Sequence, residues 1–255
     1  MNTKTLITQI ARFYKTYEEE FLKKRIRNKN DYLESPKSAL FFVLYYSFYQ
    51  GRRDEISSRF EERAKTALDS FLGNNNILLY SSPRITDKDN LRTKYKGLYD
   101  SLKQNKVNKE GDRLMVISLV NFIQFNNEKN ILYFLIEQIK SKKIAEAYRT
   151  LDGIWSIGPK IASLILRDVV YIYELENYLL DREDYYFLQP IDTWVHNLSK
   201  SIGLVNKGKI YRVEEKDVTD KCFELDVNPI HYNQGAWYIG SNSLQILLQN
   251  IDKIE

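Results

Sequence analysis

Apolar residues recur every three or four positions along most of the chain, a spacing that predicts helices rather than strands. Residues 3–26, 91–104 and 112–140 all show it, and the first of these carries its apolar stripe on Leu6, Ile7, Ile10, Phe13, Tyr14 and Tyr17. The alternation expected of strands is weak, and only residues 171–188 and 209–215 are predicted to hold short strands or a hairpin. The pattern therefore predicts a mainly α fold.

Residues 35–72 are predicted to form two helices. Ser35 is a preferred N-cap residue type and Pro36 is favoured in the first turn, so the first helix is expected to begin here. Its body is apolar on nearly every side, which predicts a buried helix, until the pattern breaks at Gln50. An amphipathic helix is predicted to follow.

The stretch from residue 144 to residue 170 predicts a helix, a tight hairpin at residues 154–158, and a second helix that begins near Pro159. Gly158 has no Cβ atom and so lets the backbone approach a partner closely. The amide groups exposed at such a helix start bind anions, and helix–hairpin–helix segments hold DNA phosphates in this way. Lys160 lies at this helix start, where the helix dipole disfavours a positive charge. It is either an ordinary solvated lysine or a lysine whose position is functional.

Residues 189–204 predict another helix with one apolar face. Asp192 is a preferred N-cap residue type, and Gly203 occupies the position after the helix where glycine is favoured. Capping alone accounts for Asp192, and that interpretation needs no further function.

The composition narrows the class of site. The chain has 255 residues and a formal net charge of +4, so bulk charge alone does not indicate a nucleic-acid partner. One cysteine and two histidines exclude a disulfide framework and a four-cysteine iron–sulfur or zinc site. No segment is apolar enough for a membrane span or has the features of a secretory signal, so we expect an intracellular protein of the cytoplasm or nucleoid. The 34 aromatic residues, 19 Tyr, 12 Phe and 3 Trp, serve core packing or stacking on bases.

Two short motifs resemble those of a known enzyme superfamily. The stretch "IWSIGPKIAS" resembles the hairpin of the HhH-GPD superfamily of DNA glycosylases, and "QPIDTWVHNL" resembles its segment with the catalytic aspartate. Lys160 falls at the lysine position that marks bifunctional members, such as the endonuclease III and 8-oxoguanine glycosylase groups, and Asp192 falls at the catalytic aspartate. The resemblance covers about residues 40–203, and the two motifs in order are more specific than either alone.

The resemblance implies a bifunctional DNA glycosylase and AP lyase of base excision repair, which removes an oxidised purine, with 8-oxoguanine as the expected base. Lys160 would attack the sugar, since a helix N-terminus destabilises its ammonium form, and Asp192 would assist it. The expected partner is double-stranded DNA with a damaged or modified base, and the protein is expected to be a monomer. No metal or other cofactor is expected, although a structural monovalent cation at the hairpin is compatible with the family.

The resemblance also implies which residues contact the substrate. The residues expected to contact the DNA backbone or the gap in the stack are Ser156, Ile157, Gly158, Gln50, Arg52 and Arg53. The candidates for the base pocket are Trp155, Asn233, Gln234 and Trp237. Trp237 has an equally good interpretation as a core residue.

This chain departs from the family pattern at three points. Ser156 replaces the first hairpin glycine, so the turn is expected to differ in shape there. Trp194 stands where the family often has histidine. Asp192 follows Lys160 by 32 residues (192 − 160), with an insert at about 171–188, which is more similar to the archaeal 8-oxoguanine glycosylase group than to endonuclease III. The iron–sulfur cysteines of the endonuclease III branch are absent.

The fold expected from the resemblance has two helical subdomains, a helix-hairpin-helix motif, and a DNA-binding cleft between the subdomains. Residues 1–35 are predicted to form an N-terminal helix that packs with the C-terminal segment, and residues 36–140 a subdomain similar to a six-helix barrel. Residues 141–255 are predicted to hold the hairpin, the catalytic aspartate and the C-terminal helices. Two other functions stay open: a glycosylase for another modified base, for example in defence against phage DNA, and a non-catalytic helix-hairpin-helix DNA-binding protein.

Overall fold

The computed structural model describes residues 3–48, 54–73, 76–204 and 214–249. These residues form helices and loops, and none of them lies in a β-strand, so the predicted mainly α fold is confirmed. No helix in this part of the chain is long and apolar enough to cross a bilayer. The α-helices are, in chain order, α1 (Thr3–Arg12), α2 (Tyr14–Tyr17), α3 (Lys23–Arg27), α4 (Lys29–Glu34), α5 (Pro36–Ser47), α6 (Asp54–Leu72), α7 (Asn76–Leu79), α8 (Lys88–Lys94), α9 (Lys96–Gln104), α10 (Glu110–Phe125), α11 (Ile131–Lys140), α12 (Ile144–Asp152), α13 (Pro159–Ile172), α14 (Thr193–Ser201), α15 (Glu215–Glu224) and α16 (Pro229–Gln249).

The chain divides into two compact units. The first unit, which we call the terminal unit, joins Met1–Arg27 to Leu179–Glu255. The second, the inserted unit, is Asn28–Tyr178. The boundary expected at residue 140 falls inside the inserted unit, so the hairpin belongs with the helices that precede it rather than with the C-terminal helices.

The core of the terminal unit forms where α1 and α14 pack on α16. Gly235 permits the close approach of α1, because a Cβ atom there would overlap the backbone carbonyl of Ile10. The buried core side chains come from α1, the segment that leads into α14, α14 itself, the residue after it, α15 and α16: Ile7, Ile10, Ala11, Ile191, Val195, Leu204, Val218, Cys222, Tyr232 and Ala236. The apolar stripe of residues 3–26 therefore buries its face against the C-terminal helix.

The inserted unit is built around α10, which is buried along most of its length, as its apolar sequence favours. Helix α5 begins as predicted: Pro36 stands in its first turn, and the Ser35 hydroxyl accepts a hydrogen bond of 3.2 Å from the Ser38 amide. Ala39, Leu40 and Val43 of this helix have no exposed surface, which fits the all-round apolar sequence.

The prediction of strands at residues 171–188 is wrong. This segment ends α13 and then forms two 3₁₀ helices, Glu176–Tyr178 and Arg182–Leu188. The second begins at Asp181, whose side chain accepts hydrogen bonds from the backbone amides of Glu183 and Asp184. Local capping thus decides the structure, and the aromatic side chains pack on α15 instead of on a partner strand, with Tyr186 donating to Asp220 at 3.0 Å. In the other predicted strand segment, residues 209–213 lie outside the described residues, and Glu215 begins α15.

Candidate functional site

The hairpin at residues 154–158 joins α12 to α13 within the inserted unit. Two backbone hydrogen bonds of 3.0 Å close it, from the amide of Ile154 to the carbonyl of Leu151 and from the amide of Ile157 to the carbonyl of Ile154. Ile154 and Ile157 are buried, so their side chains anchor the hairpin while the residues between them face solvent. Ile157 therefore reaches a partner only through its backbone.

Ser156 has a backbone φ of +60°, in the left-handed region that favours glycine. This is the position at which the sequence departs from the family's glycine. The serine thus adopts a glycine-type conformation, at a typical cost of about 1–2 kcal/mol. The Ser156 hydroxyl lies beside Gly111, at the start of α10. A Cβ atom on that glycine would be only 2.8 Å from the hydroxyl oxygen.

Gly158 is the N-cap of α13, and its φ of −99° suits any residue. A Cβ atom at this position would have no neighbour within 4 Å. Neither its backbone conformation nor its packing within the chain therefore requires a glycine. A partner that approaches the backbone from outside would require one.

Lys160 lies in the first turn of α13 and is half-buried. Its ammonium group makes no hydrogen bond or ion pair with a described residue, and the amides of Gly158 and Lys160 have no acceptor among those residues either. The helix start therefore presents unsatisfied N–H groups next to a lysine without a counter-ion.

Trp155 is 38% exposed, and its indole N–H donates a hydrogen bond of 3.2 Å to the carbonyl of Thr86. The side chain expected in a base pocket is thus tied to another loop of the same unit. Its ring retains an exposed surface, but its polar group is engaged.

Asp192 is the N-cap of α14 in the terminal unit. Its Oδ1 accepts a hydrogen bond of 2.8 Å from the amide of Val195, so the predicted cap is confirmed. Its Oδ2 has no partner among the described residues, and the side chain is half-buried. One carboxylate oxygen is therefore structural, while the other remains available to a ligand.

Of the base-pocket candidates on α16, Asn233 lies close to the segment that carries Asp192: its amide nitrogen donates to the carbonyl of Pro190 at 3.4 Å. Trp237 instead packs edge-on against two aromatic rings of the N-terminal segment, Tyr17 at 5.6 Å and Phe21 at 5.0 Å between centroids. These contacts are those of a packed tryptophan.

Gln189 and Gln234 are buried amides. Both side chains have no exposed surface, and neither the oxygen nor the nitrogen of either amide has a hydrogen-bond partner among the described residues. Such burial is expensive unless a ligand or water completes it. Sequence reasoning identified Gln234 but missed Gln189, because nothing local indicates that a glutamine beside Pro190 is fully buried.

Gln50, Arg52 and Arg53 lie outside the described residues. Among the residues that are described, no three histidine, cysteine or acidic side chains converge as metal ligands would.

Comparison with known proteins finds no match: no protein-family model, no curated protein and no solved structure matches the chain. The resemblance to the glycosylase superfamily therefore depends on the two motifs themselves.

Proposed function

We propose that the protein is a bifunctional DNA glycosylase and AP lyase that removes an oxidised purine, 8-oxoguanine, from double-stranded DNA. The observation that carries the proposal is the start of α13. Among the described residues, Lys160 and the neighbouring amides have no partner there, and neither packing nor backbone conformation requires the glycine at position 158. A phosphate would satisfy those amides, and a sugar nearby would meet the lysine.

In this proposal α12, the hairpin and α13 form a helix-hairpin-helix motif that holds the phosphate backbone without reading the sequence. The target nucleotide leaves the base stack, which costs a few kcal/mol and least for a damaged pair. The unsatisfied amide of Gln234, predicted for the pocket, supports a polar ligand in the terminal unit.

The neutral amine of Lys160 attacks C1′ of the sugar, and the bond between C1′ and the base nitrogen breaks. The base leaves with the bonding electrons and takes the proton that the amine releases. The lone pair of the Lys160 nitrogen then breaks the bond between C1′ and O4′, O4′ takes those electrons and a proton from water, and a Schiff base between Lys160 and C1′ remains. Loss of a C2′ proton then expels the 3′ phosphate by β-elimination, and water releases the lysine. The resemblance assigns to Asp192, whose Oδ2 has no partner among the described residues, the stabilisation of the positive charge that develops on the sugar.

Borohydride trapping tests the proposal, because it reduces the Schiff base to a stable covalent adduct. The test uses a panel of duplexes. Each duplex carries a damaged base, another modified base or an abasic site. We expect an adduct with the 8-oxoguanine duplex that is lost in Lys160→Gln and retained in Lys143→Gln, a control at the far end of α12. An adduct with a different base alone would reassign the substrate, and no adduct with any duplex would overturn the lyase activity.

A non-catalytic helix-hairpin-helix DNA-binding module is the second candidate. The hydrogen bond from Val195 to Asp192 favours it, because that bond gives the aspartate a structural role. Asp192→Asn separates the two functions, since asparagine caps a helix about as well as aspartate. A glycosylase loses roughly a hundredfold or more in turnover with unchanged stability, whereas the binding module shows no base release in either form.

A further inference from the structure

A loop on the inserted unit, residues 82–87, is held against the hairpin. The indole of Trp155 donates to the carbonyl of Thr86 at 3.2 Å. On the same loop, the Nη2 atom of Arg84 lies 3.3 Å from the position that a Cβ atom would occupy on Gly153, the last residue before the hairpin. The guanidinium group therefore lies beside the start of the hairpin.

One buried side chain of α10 holds the backbone of this loop through hydrogen bonds. Asn121 is 2% exposed; its oxygen accepts a hydrogen bond of 2.9 Å from the amide of Ile85, and its nitrogen donates to the carbonyl of Pro83 at 3.0 Å. The amide of Ser82 also donates to the carbonyl of Gln124 at 3.1 Å. A loop whose backbone is bound at both ends in this way presents its outer side chains in a defined position.

Arg84 is exposed, and it makes no ion pair or hydrogen bond with a described residue. Two neighbouring arginines of the same unit are engaged: Arg92 pairs with Asp89 and Glu110, and Arg113 donates to two backbone carbonyls. Arg84 thus has a fixed base, and its charge, unused among the described residues, lies beside Gly153 at the start of the hairpin.

We propose that the 82–87 loop is a second DNA-contact element, in which Arg84 binds a phosphate of the duplex held by the hairpin and Trp155 is a positioning residue. The inference rests on the proposed function. A planar guanidinium donates two parallel hydrogen bonds to a phosphate, and such a contact carries no sequence information.

The salt dependence of binding to an undamaged duplex tests this proposal. Each phosphate contact contributes about 0.9 to the slope of log affinity against log salt, so Arg84→Gln lowers the slope by about that amount and the affinity roughly five- to tenfold at 0.1 M salt. The loss is uniform across sequences and lesions. Arg84→Lys keeps the charge and retains the slope.

Lys143→Gln is the matched control, because it also removes one exposed positive charge from the inserted unit, at the other end of α12. Its slope should equal that of the wild type. A double-mutant cycle tests the positioning role: Trp155→Phe keeps a ring but removes the donor to Thr86, and its effect should disappear in the Arg84→Gln background.

Several outcomes overturn the inference. An Arg84→Gln slope equal to that of the Lys143→Gln control contradicts the phosphate contact, and so does a loss of affinity that occurs only with double-stranded RNA. Additive effects of Arg84→Gln and Trp155→Phe contradict the positioning role of Trp155. If the wild-type protein binds no duplex or forms no borohydride adduct, the proposed function itself is contradicted, whatever the effect of Arg84→Gln. Far-UV circular dichroism and thermal unfolding of each variant exclude loss of fold as the cause.

Discussion

At the scale of single residues, the two fully buried glutamines oppose the stability of the fold. Gln189 and Gln234 expose no surface and bond to nothing in the described chain. An amide buried in this way costs about 1–3 kcal/mol unless a ligand or a water completes its hydrogen bonds.

Replacing Gln234 by methionine, which has a similar shape and no amide, is predicted to stabilise the protein. We expect the free energy of unfolding in urea to rise by about 1 kcal/mol or more. Under the proposed function, the substitution also slows the release of a damaged base. Asn121→Leu is the contrasting control, because that buried amide is fully bonded and its loss should destabilise by about 2 kcal/mol. A destabilised Gln234→Met would show that the amide has a structural partner instead.

The single cysteine gives the stability a pH dependence. Burial raises the pKa of Cys222 from 9.0 to about 12. Above pH 9 the unfolded thiol loses its proton while the folded thiol keeps it, so the contribution is complete below pH 9. It falls by about 1.4 kcal/mol per pH unit from there towards pH 12.

Urea unfolding at pH 8.5 to 10.5 checks this dependence. The wild-type stability should decline more steeply than that of Cys222→Ala, by about the amount that one proton contributes. Tyr232 titrates in both proteins: burial raises its pKa, and the nearby Cys222 thiolate raises that pKa further in the wild type alone. Parallel curves would mean that the thiol ionises equally in both states.

The sequence identified some of these residues and not others, for a physical reason. Asp192 and Ser35 were predicted correctly as caps, since a cap depends on neighbours within three positions. The burial of Gln189 and the free guanidinium of Arg84 depend on segments distant in sequence, and no local pattern encodes them. Ser156 is an intermediate case. The sequence showed that a serine replaces the glycine of the family pattern, but it did not show that this serine adopts a positive φ.

At the scale of helices, the contact between α1 and α16 depends on one glycine. A Cβ atom on Gly235 would overlap the carbonyl of Ile10, which is backbone and cannot turn aside. Gly235→Ala is therefore predicted to destabilise the protein by about 1–3 kcal/mol or more, as overpacked cores do.

Gly97→Ala is the matched control for that substitution. Gly97 also lies in a helix, in the first turn of α9, but a Cβ atom there would meet nothing within 4 Å. Alanine should thus stabilise by about 0.5–1 kcal/mol through its better helix propensity. Thermal unfolding of both variants measures the two effects, and equal shifts of the same sign would exclude a tight contact at Gly235.

Helices were predicted well at this scale because amphipathic spacing is local. The segment at 171–188 was not, because its tyrosines satisfy a strand pattern and a packed 3₁₀ helix equally. Its cap at Asp181 and its contact with α15 decided between the two.

At the scale of the whole molecule, the inserted unit Asn28–Tyr178 is predicted to fold by itself. It has its own buried helix, α10, and its own polar network around Asn121. A fragment of residues 28–178 should show helical circular dichroism and one cooperative urea transition. A fragment of residues 28–255 should unfold at a lower urea concentration than the full chain, since α1 is missing from its core. A non-cooperative 28–178 fragment would contradict the division.

The terminal unit is formed by two separate stretches of the chain, and this affects how it folds during synthesis. Translation proceeds from the N-terminus at about 5–20 residues per second, and domains fold as they emerge. Helix α1 leaves the ribosome first, but its partner α16 begins only at Pro229. For roughly ten seconds or more, the apolar face with Ile7 and Ile10 has no native surface to cover it. The nascent chain would then present a natural target for chaperones until its last helix arrives.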